Sequence, residues 1–230
     1  MCIRDSLIAL SVEKSKDWSG KDSYFYKIIA NRDEYHERPT SGMKWWSNNI
    51  VLAGRDEEAG GTWLGVSKEG KFGAITNLKE ETDIKYSNSR GSLVTEFLES
   101  QLSAKSYLEA LEPNKENYAG FNLIIGDKSG LFYLCNRLEG IFFISEGIHA
   151  LGNLTLNSST KKIESIKNDF NQILHEGFAI DKGLHIMRKE YGNLHEKTKK
   201  ELQVRDGEEI PFRFIRSPIY LSLIHISEPT

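Results

Sequence analysis

Two cysteines, Cys2 and Cys135, are all the thiols in 230 residues, too few for a disulfide framework, and neither stands in a CxxC or Cys/His ligand cluster. A reducing, cytoplasmic compartment is therefore expected. Neither sign of charge dominates: 30 Lys and Arg against 33 Asp and Glu leave a formal net charge of −3, which gives no bulk electrostatic case for nucleic acid or an anionic membrane. No apolar run approaches the ~20 residues of a spanning helix, so no transmembrane segment is expected. The six histidines show no HxH or HExxH spacing, and no metal site is expected. GxGxxG, GxxxxGK[ST] and internal repeats are all missing, which argues against a parallel nucleotide-binding sheet. What is present, 39% apolar and 27% charged residues, suits one globular domain with a real core.

The two ends read as foreign to that domain. MCIRDS (1–6) and LSLIHISEPT (221–230) back-translate to opposite strands of one transposon-type sequencing adapter, and such scars stand outside fold reasoning. The expectation is a natural chain from about Leu7 to Tyr220, truncated at both ends.

Between them the apolar pattern alternates in type. YFYKIIAN (24–31) and NIVLAG (49–54) read as buried strands, and TWLGVSKEGKFGAITNL (62–78) as a hairpin turning at Lys68-Glu69-Gly70. Leu93, Val94, Phe97, Leu98 and Leu102 then recur at helical spacing, and Tyr107, Leu108 and Leu111 mark a second helix stopped by Pro113. AGFNLIIGD, GLFYLCNRL and GIFFISEGIHAL return to strands over 118–151, with Cys135 alternating with Tyr133 and Leu131 as a small buried apolar residue. Residues 159–176 give the clearest helix, 181–191 another, and PFRFIRSPIY (211–220) a last strand. This order predicts a layered α+β domain with mostly antiparallel sheets.

Three groups of residues carry candidate chemistry. Asn31, Arg32, Asp33 and Glu34 follow the strand at 24–31; they either present functional groups at a sheet rim or form a solvated exit with a surface Arg/Asp pair. Gly54, Arg55 and Asp56 precede Gly60, Gly61 and Trp63, a set that fits close backbone approach beside an aromatic wall, or a Gly-rich turn with a core tryptophan. Asn77 and Asn153 end strand-like segments, where an amide serves either as an oxyanion donor or as a turn residue.

ANRDEYHERPT, AGRDEEAGGTWLGVSKEGKFGAITNLKE and SRGSLVTEFL together resemble the NRDE family, also called the transport and Golgi organisation family, over nearly all of 7–220. The resemblance implies a four-layer αββα sandwich of N-terminal nucleophile hydrolase type. It also implies a cysteine, exposed by methionine removal, whose thiolate attacks and whose α-amine serves as base, the two having similar ordinary pKa values of ~8.5 and ~8. Asp33 would then orient the amine, Arg32 support the thiolate, and Asn77 and Asn153 donate to the oxyanion, in hydrolysis of a small non-peptide amide without a cofactor. Members place their cysteine directly before the first apolar strand, here Leu7-Ile8-Ala9-Leu10. Cys2 lies four extended residues earlier, about 13 Å off, so the nucleophile belongs near position 6 and the chain as written is expected to be inactive. The resemblance also allows a second function, a non-catalytic carrier of haem or an acyl lipid, with Trp45, Trp46 and Trp63 either lining an apolar pocket or packing in the core.

Overall fold

The computed structural model describes residues 6–16, 20, 22–35, 38–78, 84, 86, 88–188 and 214–223, apart from the side chains of 23, 33–35, 180, 188 and 214–223. Eleven strands and four helices are described, and every strand pairing among them is antiparallel. The first sheet has the order β10-β1-β2-β11, formed by β1 (Ser6–Lys16), β2 (Asp22–Tyr35), β10 (Gly147–Leu151) and β11 (Phe214–Leu223). The second runs in chain order from β3 (Thr40–Trp45) through β4 (Val51–Asp56), β5 (Leu64–Ser67), β6 (Phe72–Asn77), β7 (Phe121–Asp127) and β8 (Gly130–Cys135) to β9 (Phe142–Ile144).

Strand alternation explains how the sheets stack. Ile8, Leu10 and Val12 of β1 and Tyr26, Ile28 and Ala30 of β2 share one core with Leu64, Phe72, Ala74, Ile124, Leu131 and Tyr133 of the second sheet. Residues of opposite parity face outward, where each sheet meets a helical layer. Leu7, Ala9 and Ile29 pack against Ile163, Ile166 and Phe170 of α3 (Lys161–His175) and Ile186 of α4 (Ile180–Arg188). Ile75, Leu123 and Leu134 pack against Leu93, Val94 and Phe97 of α1 (Arg90–Glu99) and Leu108 of α2 (Ala104–Leu111). The layers are thus helices, sheet, sheet, helices: the αββα sandwich expected.

Several boundaries differ from the sequence reading. The strand read at 24–31 continues to Tyr35, so Asn31, Arg32, Asp33 and Glu34 belong to β2 rather than to an exit loop, and β11 pairs with them. GIFFISEGIHAL is two strands: β9 pairs with β8 in the second sheet, and from Gly147, whose φ is 125°, β10 pairs with β1 in the first. Leu102 lies beyond α1 and is 44% exposed. Pro113 opens a 3-10 turn over Glu112–Asn117, where its missing N–H costs nothing. Residues 17–19 and 189–213 lie outside the described residues, as do the adapter-like residues 1–5 and 224–230; β11 itself runs to Leu223.

Candidate functional site

The inter-sheet layer ends in polar residues. Two positions before Ile8 on the same face stands Ser6, and two after Ala30 stands Arg32; the two are register partners across β1 and β2. Both open onto a cleft of about 280 Å³, also lined by Asn77, Trp63, Arg38 and Asp56. Asn153, in the loop after β10, ties the sheets together there. Its Oδ1 accepts from the Ser6 backbone N–H at 2.9 Å, and its Nδ2 donates to the Asn77 carbonyl at 2.9 Å.

The glycine-rich segment forms one wall. Asp56 Oδ1 accepts from the N–H groups of Glu58 and Ala59, both at 3.1 Å, while Gly60 N–H donates to the Asp56 carbonyl at 2.7 Å. Arg38 grips the other carboxylate oxygen through Nε at 2.8 Å and Nη2 at 2.7 Å. Burial works against the charge of Asp56, but Arg38 and the two N–H donors outweigh it and hold the carboxyl below the usual aspartate range. Gly61 crosses the start of α1 so closely that a Cβ there would stand 2.6 Å from the Gly91 carbonyl carbon. That crossing requires glycine. The first turn of α1 adds Arg90, whose Nη1 donates to the Gly120 carbonyl at 2.8 Å while its side chain lines the cleft.

Of the candidates from sequence, Arg32, Asp56, Gly61, Trp63 and Asn77 therefore converge on one cleft, and Asn153 bonds to two residues that line it. Asn31 does not converge. Opposite parity buries it toward the helical layer, where Nδ2 donates to the Met187 carbonyl at 3.1 Å and Oδ1 has no partner among the described residues. Gly54, Arg55 and Gly60 are also outside the lining; Arg55 stacks on Trp46, 4.9 Å from the ring centroid. Trp46 is a core residue and Trp45 is exposed on β3, so of the three tryptophans only Trp63 walls the cleft. Cys2 and the side chains of Asp33 and Glu34 lie outside the described residues. Sequence reasoning placed the nucleophile near position 6 but missed Arg38, Ile75 and Arg90. The Arg at the head of a helix was the available signal. Among the described residues no group of His, Cys, Asp and Glu is placed to hold a metal ion, and no helix is long and apolar enough to cross a membrane.

Fold and site define a four-layer αββα protein whose cleft opens at the end of its inter-sheet layer, around the start of the first core strand. The family model for Transport and Golgi organisation 2 matches residues 1–225, and the chain belongs to that family. The Transport and Golgi organization 2 homolog of Mus musculus is 36% identical over 172 residues, 70% of this chain and 62% of its own. The homologous protein of Homo sapiens is 34% identical over the same shares. The chain thus spans less than two-thirds of these relatives' length. A solved structure, the Caenorhabditis elegans N-acylethanolamine-hydrolyzing acid amidase ortholog, is similar with a TM-score of 0.49 at 12% identity, covering 80% of this chain and 86% of that one.

Proposed function

We propose that the family chain, with a cysteine at position 6 freed by methionine removal, is an N-terminal nucleophile hydrolase of a small non-peptide amide. The observation that carries this reading is the station at residue 6: its backbone nitrogen is held by Asn153 Oδ1, its register partner is Arg32, and a cleft lies in front of it. A terminal amine at that nitrogen keeps the bond to Asn153, which points its lone pair rather than neutralising it. The amine takes the thiol proton, the thiolate adds to the amide carbonyl, and the proton passes to the leaving amine as an acyl-thioester forms. Water then hydrolyses the thioester. Arg32 lowers the cost of the thiolate, and the Asn77 side chain donates to the oxyanion. Asn153 holds residue 6 through its Oδ1, and of its two amide N–H donors one is engaged by the Asn77 carbonyl, which leaves the other for the oxyanion. In the present sequence position 6 is a serine within the chain, so its nitrogen is a peptide N–H and cannot serve as base.

The test joins Met and Cys directly to Leu7 and records intact mass before and after exposure to acyl amides and a β-lactone. Methionine loss with one acyl adduct, missing when that cysteine is alanine, supports the hydrolase. Asp33→Ala is expected to abolish turnover while the protein stays folded; unchanged turnover removes Asp33 from the mechanism. A free cysteine that never acylates favours the second reading, a reversible carrier of an acyl lipid or haem in which Trp63 and Ile75 wall the ligand, measured by spectral titration.

A further inference from the structure

Three polar side chains sit on the inner, otherwise apolar face of the second sheet: Thr76 on β6, Asn122 on β7 and Tyr133 on β8, exposed by 2%, 0% and 3%. They form one chain of hydrogen bonds. Tyr133 OH donates to Asn122 Oδ1 at 2.7 Å, and Asn122 Nδ2 donates to Thr76 Oγ1 at 3.3 Å and to the Leu154 carbonyl at 2.9 Å. Thr76 Oγ1 donates in turn to the Gly152 carbonyl at 2.8 Å, and Leu156 N–H donates back to Tyr133 OH at 3.3 Å. Burial, opposed only by that last bond, pushes the Tyr133 hydroxyl well above the usual tyrosine range, so it stays a donor.

The targets of these bonds have a pattern. The carbonyls of Gly152 and Leu154 are the backbone groups on either side of Asn153, and Leu156 anchors the next turn of the same loop. A buried hydrogen bond gains little net stability over its hydrated equivalent, and apolar side chains of similar shape would fill this layer as well. What a fully satisfied network supplies is a single geometry.

We propose that Thr76, Asn122 and Tyr133 are positioning residues: they clamp the loop on both sides of Asn153 so that its side chain sets the nitrogen of residue 6 against Asn77. The catalytic meaning of the clamp rests on the hydrolase reading above. The clamp itself does not.

The first arm uses the 230-residue chain and residue-resolved amide hydrogen exchange. The Ser6 amide reports the Asn153 bond, and the Leu10 amide reports β1 as a whole. In Tyr133→Phe and Thr76→Val, Ser6 exchange is expected to rise about tenfold relative to Leu10, the equivalent of one lost buried hydrogen bond. Thr76→Ser, which keeps the hydroxyl, restores it. Tyr107→Phe, which removes a buried tyrosine bond of 2.9 Å to the Leu93 carbonyl on the far side of the second sheet, leaves the ratio unchanged. Ser6 and Leu10 rising together, or Thr76→Val leaving Ser6 protected, overturns the proposal, and Thr76→Val keeps it falsifiable if Tyr133→Phe does not fold. The second arm puts the same substitutions into the Met-Cys-Leu7 protein and follows β-lactone acylation, expected to slow by a similar factor. Acylation at the parental rate overturns the positioning role. A parent protein that takes no acyl group defeats the hydrolase reading, and the exchange ratio alone then decides the clamp.

Discussion

The inter-sheet layer has a middle and an end, built by the same strands on the same face. In the middle, Ile8, Leu10, Ile28, Leu64, Phe72 and Ile124 are at most 1% exposed and contact one another without direction. At the end, Ser6 and Asn153, and Thr76 and Asn122, are joined by hydrogen bonds of defined geometry, and Tyr133, itself packed in the core, donates into that network. Apolar packing tolerates exchange of shape for shape; a donor facing an acceptor does not. One face therefore divides its work: the middle supplies stability, and the end sets positions.

Substitutions at the two places should separate these roles. Phe72→Ala, in the fully buried middle, is expected to cost about 3–5 kcal/mol in denaturant unfolding while the relative protection of Ser6 is kept. A shift confined to Ser6 would break the distinction. Gly61→Ala forces a Cβ to within 2.6 Å of the Gly91 carbonyl carbon, and about 1–3 kcal/mol should be lost as the wall moves off α1. Thermal unfolding reads that loss. Asp56→Asn weakens the Arg38 grip and should cost about 1–2 kcal/mol near neutral pH. Because the Asp56 pKa is lowered on folding, its stabilisation is complete above the unfolded value of about 3.9 and fades as pH falls through the folded one. Asp56→Asn should therefore approach the parent in stability on acidification. The smallest effect is expected at His149. Its Nε2–H donates to the Ser145 carbonyl and its Nδ1 accepts from Asn157 Nδ2, both at 2.9 Å. Burial above all, with Lys167 nearby, lowers its pKa from 6.5. As pH falls below that value the unfolded chain binds a proton first, so stability declines toward the folded pKa, and His149→Gln should flatten this slope.

Periodicity made most of the core legible. Leu93, Val94, Phe97 and Leu98 do face the second sheet, and Ile163, Ile166, Phe170 and Ile173 the first. The paired glycines were legible too, because the close crossing at Gly61 leaves no room for a side chain. The division of Ile141–Leu151 between two sheets was not, since both halves are apolar and the switch depends on tertiary partners. Nor were the sites of opposite parity: the NRDE run gives Arg32 to the cleft and Asn31 to the helical layer only because β2 continues through both. Thr76, Asn122 and Tyr133 looked like ordinary strand residues. Their meaning lies in a loop 30 or more residues away in the case of Asn122 and Leu154, a distance local patterning does not cross.

The switch from β9 to β10 also bears on the order in which the molecule assembles. The second sheet joins strands that follow one another from β3 to β9, whereas the first pairs Ile8 with Leu151 and Ala30 with Ile219. Closing such long loops costs entropy before any contact repays it, so β10 and β11 are expected to join the first sheet later than the local hairpins form. The cleft draws Ser6 from one sheet and Asn77 from the other, with Asn153 between them. During synthesis these three meet only once the chain has grown past residue 153, and a partly made polypeptide carries the wall of the cleft without its floor.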